Sequence, residues 1–132
     1  MIAVDTSALV CIVMQEEEAE LFSSIIARTA AKIGAPTLAE ARIVIESKAG
    51  HGGLKLLEEI LERPTVTIEP FDARHATAAH EAHRRFGKGR GHPAKLNICD
   101  CFSYAVAACD DLPLLFKGDD FIHTDIRPAY LP

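Results

Sequence analysis

Four carboxylates stand where the surrounding pattern asks for an apolar or neutral side chain. Asp5 follows the apolar run Ile2-Ala3-Val4, and Glu40 sits in Thr37-Leu38-Ala39-Glu40-Ala41. Asp100 interrupts Leu96-Asn97-Ile98-Cys99-Asp100-Cys101-Phe102, and Asp119, with Asp120 beside it, follows Leu114-Leu115-Phe116. An isolated ionised carboxylate is very costly to bury, and several brought together raise one another's pKa. A hard divalent cation relieves both penalties, because Mg2+ and Mn2+ prefer oxygen ligands. Such a centre can make a bound water nucleophilic and stabilise charge on a transferring phosphoryl group. Each acid also has an ordinary reading: Asp5 as a helix cap, Glu40 as the acidic half of a capping box with Thr37, Asp100 as a first-turn acid favoured by the helix dipole, and Asp119 as a turn residue. Spacing alone leaves both readings open.

A second region has the opposite charge. From Arg84 to Lys95 the chain reads RRFGKGRGHPAK, with five basic residues (Arg84, Arg85, Lys88, Arg90 and Lys95) and no acid. The rest then carries nine basic and nineteen acidic residues, a balance of −10. A basic glycine-containing loop leading into the segment of Asp100 suits contact with RNA phosphates. A solvated or salt-bridged surface is its ordinary alternative. The loop carries no Walker or dinucleotide fingerprint. His75, His80 and His83 lie on one helical stretch without an HExxH spacing and read as ordinary surface or core histidines. His92 and His123 are placed to touch phosphate rather than to catalyse. Cys11, Cys99, Cys101 and Cys109 lack a C-x2-C zinc pattern and read as reduced, mostly buried thiols.

The elements that must position these groups are short. Strands are expected at Ile2–Val4, around Ile33, at Val66–Ile68 and at Pro113–Phe116. Helices are expected at Ala8–Met14, from Glu16 to about Ala31, from Thr37 to about Ala49 with Gly50, Gly52 and Gly53 ending it, over Leu54–Leu61 with Pro64 stopping it, from Asp72 to about Phe86, and from about Leu96 to Asp110. Short apolar strands alternating with helices predict an α/β fold with a mainly parallel sheet covered on both faces. Ligands of such sheets bind beyond the carboxyl ends of the strands, where Asp5 and the Asp119–Asp120 pair lie.

Length and composition set the frame. The chain has 132 residues, 48% of them hydrophobic and 25% charged, with a net charge of −5. One globular domain over residues 1–132 is expected, and disorder, a collagen repeat or a coiled-coil rod is excluded for the whole chain. No apolar run approaches the ~18 residues of a membrane helix. The N-terminus lacks the basic and apolar regions of a secretory signal, so a cytoplasmic location is expected. The net charge argues against a protein that coats nucleic acid, but a cleaving enzyme needs only local complementarity.

On these segments, together with Asp5-Thr6-Ser7-Ala8-Leu9, Phe86-Gly87-Lys88-Gly89 and Lys117-Gly118-Asp119-Asp120-Phe121, nearly the whole chain resembles the PIN-domain ribonucleases, most closely the VapC toxins of toxin–antitoxin pairs. The resemblance implies a three-layer α/β/α fold, a homodimer, and Mg2+-dependent endoribonuclease activity, with Mn2+ as a possible substitute. Its acidic quartet falls on Asp5, Glu40, Asp100 and Asp119, as catalytic and metal-holding residues. Many relatives have Thr-x-Asp after the last strand, with Phe three residues beyond the Asp; here Gly118 takes that Asp's place before Phe121, so the fourth acid is Asp119 or Asp120. Thr6 or Ser7 is expected to help position the first acid or the substrate. The resemblance also implies neutralisation by a VapB-type antitoxin, a toxin–antitoxin hetero-oligomer, operator DNA bound only through the antitoxin, and no membrane partner.

Two rival enzyme folds fit less well. A haloacid-dehalogenase-like phosphatase needs Asp at position 7, where this chain has Ser7, and a receiver domain needs an acceptor Asp after its third strand, where this chain has Glu69-Pro70. A rival of another class is a non-catalytic binding module whose acids cap helices and whose basic loop holds a partner.

Overall fold

The computed structural model describes residues 1–132. Its four strands, β1 (Ile2–Val4), β2 (Ala31–Gly34), β3 (Val66–Glu69) and β4 (Leu114–Leu115), form one sheet in the order β3-β2-β1-β4. All three pairings are parallel, with Ile2 opposite Ala31, Ala3 opposite Leu114, and Ala31 opposite Val66. Parallel neighbours require crossovers. Helices α1 (Thr6–Val13) and α2 (Ala19–Arg28) join β1 to β2, α3 (Ala35–Leu61) joins β2 to β3, and α4 (Ala73–Phe86) and α5 (Ile98–Cys109) join β3 to β4. A 3-10 turn follows at Asp120–His123.

Side-chain alternation along the strands divides the core into the two halves of a three-layer α/β/α fold. Ile2 and Val4 pack with Leu9, Phe22, Ile45 and Leu57 of α1, α2 and α3. Ala3, from the same strand, packs with Ala79, Tyr104 and Val106 of α4 and α5. Leu9, Ile26, Ile45, Leu57 and Leu96 are completely enclosed, and each such side chain contributes about 1.5–3 kcal/mol through burial. The segment around Pro128 covers the open edge of β4: Leu114 donates to Arg127 O at 2.9 Å, and Ala129 donates to Leu114 O at 2.8 Å. No helix is long and apolar enough to cross a membrane.

Several boundaries differ from the sequence-based expectation. The second helix starts at Ala19, not Glu16, because Gln15 takes a left-handed turn (φ 53°) and Glu16 N–H bonds back to Cys11 O at 3.0 Å. It ends at Arg28, leaving Ala31 to β2. The third helix starts at Ala35 with Gly34 as its N-cap and Pro in its first turn, a favourable place for proline. Thr37 is therefore already inside the helix, and the expected Thr37–Glu40 capping box does not form. Gly50 leaves helical backbone altogether (φ 62°, ψ −152°), so α3 is two helical segments joined across a kink, with the break at the expected Gly50. The last helix starts at Ile98, capped by Asn97, because Leu96 is drawn into a bridge with Gly87.

Candidate active site

β1 is an inner strand, so its carboxyl end opens at the middle of the sheet's rim, and the next residue is Asp5. Asp5 N–H pairs with Leu115 O at 3.0 Å, which anchors the backbone. Its carboxylate caps α1: Oδ2 accepts from Ser7 N at 3.0 Å and from Ser7 Oγ at 2.7 Å. Ser7 Oγ in turn accepts from Lys117 N at 3.0 Å, which ties the residue after β4 to the same point. Oδ1 accepts from Ser103 Oγ of α5 at 2.5 Å. Burial pushes the Asp5 carboxyl above its ordinary value, these donors partly offset that, and Glu40 raises it further.

Glu40 projects from α3, and Thr6 Oγ1 donates to its Oε1. Asp100 occupies the third position of α5, where its Oδ2 accepts from Asn97 N at 3.0 Å while Asn97 Oδ1 accepts from Asp100 N at 2.8 Å. The reciprocal pair is a capping box. The Asp100 carboxyl is pushed up to about 6, first by burial and then by the charges of Asp5, Asp120 and Glu40, against the lowering effect of Asn97 N–H. Beside them, burial and the Glu40 carboxylate push the Cys99 thiol up to about 11. Asp5 thus caps its helix as expected, Asp100 stands in the first turn of its helix as expected and also closes a capping box with Asn97, and both share one acidic field, so the two readings coexist in the same side chains.

One open hollow of about 360 Å³ is lined by Asp5, Glu40 and Asp100, together with Thr6, Ser7, Glu16, Lys48 and Lys117. Neither Asp119 nor Asp120 lines it; Asp119 lines a neighbouring hollow with Phe22, Phe116 and Tyr130. Asp120, one residue on, is the acid whose charge acts on Asp100. The nine ion pairs that lysine and arginine make engage other acids and none of Asp5, Glu40, Asp100, Asp119 or Asp120.

An all-oxygen donor set that raises its own proton affinity and has no protein cation paired to it fits a hard divalent cation. No three of its acids converge closely enough to enclose an ion by themselves.

The basic residues are distributed differently. Lys88, Arg90 and Lys95 are exposed and make no ion pair, and the loop encloses its own hollow with Gly89, Gly91, His92 and Pro93. Arg84 lies 3.8 Å from Glu81, whereas Arg85 is committed to Asp125 at 3.2 Å and stacks over the Phe86 ring at 4.6 Å. None of the five lines the acidic hollow. The two cations that do, Lys48 and Lys117, were missed in the sequence reading. Lys117 is held by Glu16 and Glu18 at 3.3 and 3.2 Å, while Lys48 makes no ion pair. Lys48 follows Glu40 and Val44 at successive four-residue steps of α3, a spacing that puts all three on one helical face. Of the histidines, His75 is wholly buried and its Nδ1 accepts from Asp72 N at 3.0 Å, while His92 Nδ1 accepts from Ala94 N at 3.1 Å.

The PIN domain model matches residues 2–127. The chain is 44% identical over 128 residues to "Ribonuclease VapC" of Mycolicibacterium smegmatis, covering 96% of this chain and 98% of that one. Among solved structures it superposes on Mycobacterium tuberculosis VapC20, a "Sarcin-Ricin loop cleaving toxin", with a TM-score of 0.75 at 18% identity, covering 97% of this chain and all of that one. It also superposes on VapBC2 of Rickettsia felis, solved bound to a promoter DNA fragment, with a TM-score of 0.75 at 17% identity, covering 97% and 96%.

Proposed function

Since the chain belongs to the PIN-domain family, we propose that residues 1–132 form a single nuclease domain acting as a divalent-metal-dependent endoribonuclease toxin of the VapC kind. The observation that carries this is the hollow lined by Asp5, Glu40 and Asp100, with the charge of Asp120 also acting on Asp100; none of the four has a cationic partner in a molecule that pairs nine other acids. The ribonuclease name of the relative and its coverage of both chains support RNA as the substrate.

Asp5, Glu40 and Asp100 hold Mg2+, or Mn2+ in its place, directly or through water. Asp120 is the fourth acid in preference to Asp119, because its charge reaches Asp100 while Asp119 lines the neighbouring hollow. When bound, the cation supplies Lewis acidity toward a phosphoryl oxygen and acidifies a water. The protein's own part is to keep carboxylates in place, so that the charge they hold needs no reorganisation during reaction. Lys88, Arg90 and Lys95 grip RNA phosphates. Lys48 meets a phosphate at the hollow itself. Arg84 and Arg85 contribute less, since Glu81 and Asp125 already engage them.

A cognate VapB-type antitoxin neutralises the enzyme by covering the acidic hollow, where a basic side chain finds unpaired carboxylates. Operator DNA is bound through that antitoxin, and the toxin is a homodimer acting in the cytoplasm. The Rickettsia VapBC2 structure, bound to a promoter DNA fragment, supports the antitoxin partner and the operator contact.

The rival binding module draws on Asp5 and Asp100, which do cap helices. It leaves Glu40 unexplained, since Glu40 caps nothing. Asp5→Asn and Asp100→Asn should each abolish metal-dependent RNA cleavage and relieve growth arrest while circular dichroism stays native. Saturating Mn2+ should raise the wild-type melting midpoint by several degrees. Unchanged cleavage by either purified variant, or an unmoved midpoint, would sink the assignment.

A further inference from the structure

Ser103 is a hydroxyl in a helix whose neighbours, Cys101, Tyr104, Ala105, Val106 and Ala107, are buried and mainly apolar. It is itself only 2% exposed. A buried hydroxyl is costly unless it is hydrogen-bonded, and alanine is the better helix former. Ser103 makes two contacts: Oγ lies 2.5 Å from Asp5 Oδ1 and 3.2 Å from Thr37 Oγ1. Thr37 is also 2% exposed and belongs to α3, the helix of Glu40.

The direction of these bonds follows from chemistry. An ionised carboxylate only accepts, so Ser103 donates its single proton to Asp5 and Thr37 donates to Ser103. The chain Thr37–Ser103–Asp5 thus has one sense and joins α3, α5 and the end of β1. Asp5 Oδ2 already takes two donors from Ser7, whereas Oδ1 takes only the one from Ser103. The terminal torsion of an aspartate is soft and roughly two-fold. Without a fixed donor on Oδ1, only the Ser7 bonds restrain its rotation.

We infer that Ser103, backed by Thr37, is a positioning residue that fixes Asp5 Oδ1 for cation coordination. The inference rests on the metal-dependent reading above. Groups that orient a ligand to a metal typically govern 10–100-fold in metal affinity. Ser103 reaches the cation only through Asp5, and Thr37 acts one bond further back, so a graded response is expected.

The test is calorimetric titration of the full chain with Mn2+, alongside RNA-cleavage kinetics and melting without metal. Ser103→Ala should weaken Mn2+ binding at least ~10-fold and lower kcat while leaving the KM for RNA unchanged. Thr37→Val, which removes the hydroxyl at nearly constant shape, should weaken it a few-fold, and Thr37→Ser should restore it. The Thr37 pair decides the matter if Ser103→Ala does not fold. Mn2+ affinity within twofold of wild type in both Ser103→Ala and Thr37→Val, even with a lowered melting midpoint, would show a purely structural role and overturn the inference. Failure of the wild-type protein to bind Mn2+ would instead overturn the metal-dependent reading, and this inference with it.

Discussion

Asp5 accepts side-chain hydrogen bonds from residues 2 and 98 positions away, and the serine beside it accepts from a backbone amide 110 positions on. Lys88, Arg90 and Lys95 make no side-chain hydrogen bond or ion pair. Their loop is held at its base, where Lys88 N–H bonds Leu96 O at 2.9 Å and Leu96 N–H bonds Phe86 O at 3.0 Å. Within it, Gly89, Gly91 and Lys95 take left-handed backbone (φ 87°, 75° and 50°). The acids are therefore fixed by the whole fold and the bases by one short neck. Charge that must stabilise a reaction gains from not having to move. Charge that grips a flexible polyanion works through counterion release and needs no fixed place. The contrast predicts that changes in the hollow alter kcat, whereas changes in the loop alter affinity and its salt dependence.

The sharpest way to break that contrast on the acidic side is to compare Asp119 with its neighbour. Asp120→Asn should lower kcat by roughly 100-fold, the scale of losing one fixed electrostatic group. Asp119→Asn should stay within about threefold, because Asp119 lines the neighbouring hollow with Phe22 and Tyr130. Single-turnover cleavage at saturating RNA measures both. Equal losses would place both acids in one functional cluster and dissolve the distinction drawn from Asp100's surroundings.

That pair also marks where the sequence stops being informative. Asp5 was legible because a three-residue apolar strand has to end, and a carboxylate followed by Thr-Ser marks both the end and the next helix cap. Asp100 was legible because it breaks an apolar stretch. The parallel sheet followed from strand and helix alternation. The choice between Asp119 and Asp120 was not legible, since a one-residue shift in a 3-10 turn leaves no periodic trace. Thr37 read as a cap, but Pro36 and the Gly34 cap move the helix start back, which turns its hydroxyl toward Ser103 instead. The partners of Asp5 and Glu40 are tertiary, and only the packing of α3, α5 and β1 brings them together. Gly50 read as a helix end because its backbone freedom is visible in sequence, and the backbone does break there; that the second segment follows at once depends on Leu57 and Ile60 finding the core.

On the loop side, the triple change Lys88→Ala, Arg90→Ala and Lys95→Ala should raise the KM for RNA by about 10-fold at moderate salt and leave kcat unchanged. Three phosphate contacts at about 0.7 each predict that the slope of log KM against log salt falls by about 2. Lys48→Ala should reduce the same slope by less than 1, as a single contact. A fall in kcat for the triple variant would mean that the loop takes part in the chemistry, and an unchanged slope would mean that it does not touch phosphate.

The smallest effect tests whether the acids repel when no cation is present. Asp100 is raised from 3.8 to about 6 in the folded protein, by burial and then by its acidic neighbours. Between those values the native state binds more protons than the unfolded state, so stability falls as pH rises. The contribution is fully present below about pH 4 and lost as pH passes 6. Without metal, the wild-type melting midpoint should therefore drop by a few degrees more than that of Asp100→Asn between pH 4.5 and 7, because the variant keeps the capping geometry but cannot ionise. Bound Mn2+ should suppress the difference, since a cation favours the ionised form that the neighbouring carboxylates oppose. Parallel pH profiles with and without Mn2+ would mean that the carboxylates do not share a field, and the hollow would then be as loosely coupled as the basic loop.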